Sequence, residues 1–279
     1  MDTSNTLKFL IRCGLAAILL TLLFFIENLF YSRAFHLANY GWLILSNLLT
    51  VLILGVYIAY SNLRGVKLVV AIFIIYFIIS SFNNLIEAFI YNVTDRPETV
   101  YSMIQDLIVA LIISPFLVYQ FDKWNDNPRK LRFRHRSLLS WLWRVITGDF
   151  SYIVIYLVAG FILQSVYPQL LTFYKGKLPT VGLMIGTQVL RGFIFMGIAV
   201  MILKTSDISI FKRAVLVGLI FSVLGGIAPL IPHNEYMPAY IRLGHVFEVG
   251  ISNFVYGLLI SYLLGQRTET DDRMASGPA

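Results

Sequence analysis

The stretch IRLGHVFEVGISNFVYG, residues 241–257, decides how the chain is read. It is apolar enough for a bilayer interior, yet it carries Arg242, His245, Glu248 and Asn253. Its surroundings, 240–264, are long enough to cross a membrane, which takes about 20 mainly apolar residues. At 100° per residue the first three polar groups fall within roughly 120° of one another, and Asn253 lies about 20° from Arg242. They therefore form one stripe. Hydrocarbon offers charges no partner, so the stripe is expected to face a polar pocket inside a helical bundle.

The composition supports that setting. The chain has 279 residues, of which 58% are hydrophobic and only 13% charged, with mean hydropathy +0.75. Soluble domains carry about 25% charged residues, so this chain cannot cover a water-facing surface and lipid must solvate much of it. Trp and Tyr, numbering 4 and 16, are residue types favoured at membrane interfaces. Eight stretches reach spanning length, at 7–29, 40–61, 66–90, 100–121, 150–170, 180–203, 210–231 and 240–264. Strands of a barrel would be about 10 residues long and alternating, so the expected class is all-α, a polytopic integral membrane protein. Lys8 and Arg12 before the first apolar run resemble a signal peptide. The run continues into FFIENLFYSR without a small-residue cleavage site, so it is read as a retained first span.

Charge sets the orientation. Sixteen Lys and Arg fall on one side of these spans, among them Lys8, Arg64, Lys123, Arg129, Arg136, Lys204 and Arg213. Only Arg33, Arg96, Lys175 and Lys177 fall on the other, while Arg191 and Arg242 lie in helices. The positive-inside rule then puts both termini and the basic connection 122–144 in the cytoplasm, as for a plasma (inner) membrane protein. The net charge of +7 is explained by topology and needs no nucleic acid. The basic connection is read as a topology determinant on anionic headgroups, or as a docking site for a cytoplasmic protein. The tail 268–279 is polar and expected to be disordered.

Helices two, three and four recur at offsets of about 141, 145 and 141 residues; Lys67 then matches Lys212, and Pro97 matches Pro238. The expected layout is a four-helix unit over 1–121, a basic linker over 122–149, a second four-helix unit over 150–266 and the tail from 267. Four is even, so the units are expected to be parallel repeats.

Polar residues concentrate toward the less basic side. Glu27, Asn28, Asn47, Asn83, Asn84, Glu87, Gln105, Asp106, Gln164, Gln169 and Gln188 join the stripe there, which suggests an outward-facing vestibule. Arg191 should lie about 16 Å down helix six, Glu248 about 12 Å, His245 about 8 Å and Asp106 about 9 Å down their own helices. A lone Arg at that depth costs about 3 kcal/mol, so it should be paired, with Glu248 as the expected partner and Asp106 as the alternative. The substrate-binding set expected from the sequence is Arg191, Arg242, His245, Glu248, Asn253, Gln188, Asn47 and Asp106. Gly244, Gly250 and the GLMIG run (182–186) are read as helix-packing positions.

Other chemistry has little support. His245 and Glu248, with His233 and Glu235, could ligate a metal, but HExxH and cysteine pairs are missing, so no metal or other cofactor is expected. The single cysteine, Cys13, is read as an apolar filler. No GxSxG elbow, phosphate loop or dinucleotide fingerprint occurs. NVT at 92–94 fits a glycosylation acceptor but lies against the membrane. Pro229 and Pro232 should stop or kink helix seven.

The blocks TQVLRG (187–192), VLGGIAPLIP (223–232) and MPAYIRLGHVFEVGISNFVYG (237–257) resemble an uncharacterised multi-pass bacterial membrane-protein family with a duplicated four-helix unit. The resemblance covers 150–264 and, more loosely, the first half. It implies membrane location and carries no activity. Three functions fit this sequence: recognition or transport of a small polar or anionic solute, a non-catalytic subunit or sensor with a cytoplasmic partner at 122–144, and a membrane-embedded metal-dependent enzyme.

Overall fold

Long apolar runs close their backbone hydrogen bonds internally, and the chain folds into helices accordingly. The computed structural model describes residues 3–30, 37–92, 95–125, 136–175, 178–233 and 237–266. Among the described residues eight helices are long and apolar enough to span a membrane, so this is an all-helical, polytopic membrane protein. In chain order they are α1 (Thr3–Phe30), α2 (Leu37–Tyr60), α3 (Gly65–Tyr91), α4 (Arg96–Gln120) and α5 (Leu138–Val166), then α7 (Val181–Thr205), α8 (Ile210–Leu230) and α9 (Ala239–Leu264). A short helix, α6 (Gln169–Tyr174), lies between α5 and α7. Among the described residues no strand forms; Ser61 and Ser206 make an isolated antiparallel bridge.

Local signals explain most boundaries. Ser137, Thr180 and Ser209 each accept a backbone N–H with their side chains and so start α5, α7 and α8. Pro97 occupies the first turn of α4, where its missing N–H has no consequence. Asn92 ends α3 in the left-handed conformation, at φ 53°. The fifth span departs from expectation, since it begins at Leu138 rather than at 150. Arg144 and Asp149 interrupt the hydropathy there, but Leu138, Leu139, Leu142 and Ile146 are exposed along an apolar flank of a continuous helix. Of the expected basic linker, 126–135 lies outside the described residues, as do the tail from 267, Arg33, His36, Lys177 and the last two residues of NVT.

An apolar core centred on residues such as Leu54, Ile72, Phe195 and Phe221 is combined with an apolar exterior, unlike a soluble protein. Leu138 is 85% exposed and Val166 77% exposed, whereas Arg213 and Asn83 are both 0% exposed. Many large apolar groups face outward, where a bilayer would solvate them, and polar groups are buried inside, most with partners but Asn83 with none on either side-chain atom. In the first half α1 packs on α2 and α4, and α3 on α4; in the second α5 packs on α7 and α9, and α8 on α9. Across the middle α2 meets α8 and α3 meets α7.

Two π-helical segments, Phe77–Phe82 in α3 and Val223–Ile227 in α8, also meet there. Such register changes are rare and favour functional positions. In α8 the widened turn carries Gly225, which faces the Asn253 side chain, and Gly226, which lets the α9 backbone approach: a Cβ on Gly226 would lie 3.2 Å from the Gly250 nitrogen. Asn253 donates its side-chain N–H to the Phe221 carbonyl at 3.2 Å, just before the register change.

Candidate functional site

Arg191 points from α7 into the bundle and is only 5% exposed. Its Nη1 forms an ion pair with Glu87 of α3 and also donates to Gln188 Oε1, one turn earlier, at 3.2 Å. Glu87 Oε1 accepts from Tyr156 of α5 and from Gln188 Nε2, both at 3.3 Å. Gln188 Nε2 also donates to the Tyr91 hydroxyl at 3.2 Å. Three helices therefore hold one carboxylate and one guanidinium in a shared network. The Arg191 Nε is buried and has no hydrogen-bond partner, so one donor of the guanidinium is left unpaired.

This corrects the expected Arg191–Glu248 pair. Glu248 instead binds His245 Nδ1 at 2.8 Å, and His245 Nε2 lies 2.7 Å from the Tyr174 hydroxyl of α6. Tyr174 is outside the spans; burial, helped by Glu248 and Glu87, pushes its pKa above the usual tyrosine value. A protonated Tyr174 donates to Nε2, which leaves the Nδ1–H to donate to Glu248. Glu248 and Glu87 both lie within electrostatic reach of Tyr156, so the ion pair and the Tyr–His–Glu chain are neighbours.

The remaining expected residues disperse. Arg242 is buried, but its Nη1 donates to the carbonyls of Leu230, Ile231 and Pro232, closing the end of α8. Asn253 serves the π segment, as described. Asn47 donates to Thr21 Oγ1 of α1 at 3.0 Å. Asp106 faces Ser81 of the α3 π segment and has no basic partner among the described residues. Gln164 and Gln169 are exposed, and the side chains of Glu27 and Asn28 lie outside the described set. Gly250 has the close packing expected of it, whereas Gly182 and Gly186 meet nothing within 4 Å, which corrects the reading of GLMIG as a packing signal.

The basic side is also less clean than expected. Tyr57 and Thr205 share a hydrogen bond of 2.8 Å, and Arg213 donates to the Leu203 and Gln266 carbonyls. Sequence reasoning passed over Asp149, which is buried on α5 against Gly192 with its Oδ1 unpartnered. It also missed Tyr91, Tyr156 and Tyr174, because tyrosine in an apolar helix carries no distinguishing spacing. Among the described residues no three His, Cys, Asp or Glu side chains converge as metal ligands; Glu235 lies outside the described residues.

Comparisons with protein-family models, curated proteins and solved structures find no match to this chain.

Proposed function

We propose that the protein recognises or moves a small polar solute, anionic by preference, at a site centred on Arg191. The observation that carries this reading is a buried guanidinium held by a carboxylate on one nitrogen, with its buried Nε donor left unpaired. An arginine fork binds carboxylate-like groups through two parallel N–H bonds. A solute carboxylate entering beside Glu87 would take this unpaired edge once the side chains covering it part. The Tyr174–His245–Glu248 chain next to it can relay a proton and so balance the added charge.

In this reading the site opens away from the basic side, which by the positive-inside rule is the cytoplasmic side of the plasma membrane and carries both termini. The halves act as parallel four-helix repeats. Support comes from a shift of 145 residues, which carries Ser61 onto Ser206, Asn62 onto Asp207 and Tyr60 onto Thr205. The backbone bonds Asn62 N–H to Thr205 O and Asp207 N–H to Tyr60 O exchange under that shift. It also brings the two π segments into near register.

The test is a thermal-shift screen of small mono- and dicarboxylates on the purified chain, followed by uptake of any hit into proteoliposomes. Arg191→Lys keeps the charge and removes the fork, so it should abolish both responses while the protein still melts cooperatively. Unchanged binding in Arg191→Lys would overturn the reading.

A further inference from the structure

The start of α5 carries RSLLSWLWR, residues 136–144, with two arginines bracketing two tryptophans. Arg136 donates through Nη1 to the Leu264 carbonyl at 2.7 Å and also bonds to the Gly265 carbonyl. Arg144 donates through Nε to the Leu263 carbonyl at 2.9 Å and through Nη1 to Ser140 Oγ at 3.0 Å. Both guanidiniums therefore gather at the end of α9. Lys204, in the last turn of α7, reaches the same place: its Nζ lies 5.7 Å from the Trp141 ring centre, and the Arg136 guanidinium lies 5.5 Å from that same centre. The Arg144 guanidinium covers the Trp143 ring at 4.2 Å.

Three cations thus converge on two indoles. Among the described residues no carboxylate pairs with any of them. The α9 carbonyls and the ring faces supply partial negative charge and leave the cluster net positive. Burial, and then the like charge of Arg144, lowers the pKa of Arg136. Lys204 and Trp143 are exposed, so the cluster opens outward. The neighbouring Leu138, Leu139 and Leu142 project their apolar side chains outward beside it. Positive charge, indoles and lipid-facing leucines in one place match a phospholipid, phosphate to the cations and acyl chains to the leucines.

We propose that Arg136, Arg144 and Lys204, with Trp141 and Trp143, form a site for the headgroup phosphate of one anionic phospholipid. The site lies at the basic end of the groove between α5, α7 and α9. Its existence is independent of any solute site at Arg191, which sits on other partners.

The test uses the full chain in a zwitterionic detergent, titrated with short-chain phosphatidylglycerol, short-chain phosphatidylcholine or inorganic phosphate and followed by thermal shift. Phosphatidylglycerol should raise the melting temperature saturably, and the other two should not. Lys204→Gln removes an exposed charge that donates to no carbonyl, so it should leave the unliganded melting temperature unchanged. It should weaken the lipid response by about fivefold, the scale of one lysine at an anionic surface. Arg144→Gln should abolish the response, and retention of cooperative melting guards against misfolding in that variant. Equal stabilisation by phosphatidylcholine, or by inorganic phosphate, would overturn the proposal. So would an unchanged phosphatidylglycerol titration in Lys204→Gln.

Discussion

Glu87 and Arg191 are the residues on which the polar interior turns. Each is placed where an unpaired charge is expensive, and each also holds neutral partners, Tyr156 on the carboxylate and Gln188 on both. Removing one member leaves the other buried without a counter-charge, which costs about 3–5 kcal/mol in buried pairs. The charge left by Glu87→Gln is Arg191, which is buried but keeps the Gln188 acceptor and can bond the new amide oxygen, and this places the cost at the lower end of that range. Glu87→Gln should therefore destabilise the chain by about 3 kcal/mol, read by denaturation in detergent. The double variant Glu87→Gln with Arg191→Gln should cost less than the sum of the single ones, because it removes the orphaned charge. Additive losses would show that the pair is not coupled.

At the scale of elements, close helix approach depends on glycines that no hydropathy pattern distinguishes. A Cβ on Gly257 of α9 would sit 2.5 Å from the Gly218 Cα of α8. Backbone faces backbone there, and neither can rotate away. Gly257→Ala should cost at least about 1–3 kcal/mol, the usual range for overpacking, or separate the two helices. Gly182→Ala is the matched control. Its Cβ meets nothing within 4 Å, so helix propensity alone acts and stability should rise by up to about 1 kcal/mol. Thermal denaturation of both variants checks the contrast. The π segment of α8 gives a second prediction: Asn253→Leu removes the bond to the Phe221 carbonyl and buries that acceptor unpaired. The expected loss is about 1–3 kcal/mol.

For the whole molecule, the chain's single cysteine helps. Cys13 is 0% exposed, so thiol reagents should pass it by in the folded protein. Lys175→Cys and Trp124→Cys then report on opposite faces of the bundle. In intact cells a membrane-impermeant maleimide should label Lys175→Cys, while Trp124→Cys should react only after the membrane is opened. The reverse pattern would invert the orientation proposed from the charge distribution.

The lengths of the apolar runs determined the eight spans and the all-helical class, because a backbone in hydrocarbon has few ways to bond itself. The stripe on 241–257 likewise foretold that Arg242 and Asn253 turn inward, since a helix face follows from spacing alone. The start of the fifth span was hidden, because Arg144 and Asp149 lower the hydropathy of a stretch whose Leu residues still face outward. Which acid meets Arg191 was decided by the tertiary structure. Depth along separate helices puts Glu248 closer to it than Glu87, which lies only about 6 Å from the end of α3. Helix ends do not share one level, an arginine side chain is long, and neighbour relations between helices leave no trace in the periodicity of any one of them. Packing placed α3 beside α7, and so Glu87 beside Arg191, while α6 brought Tyr174 to His245 and left Glu248 with that partner.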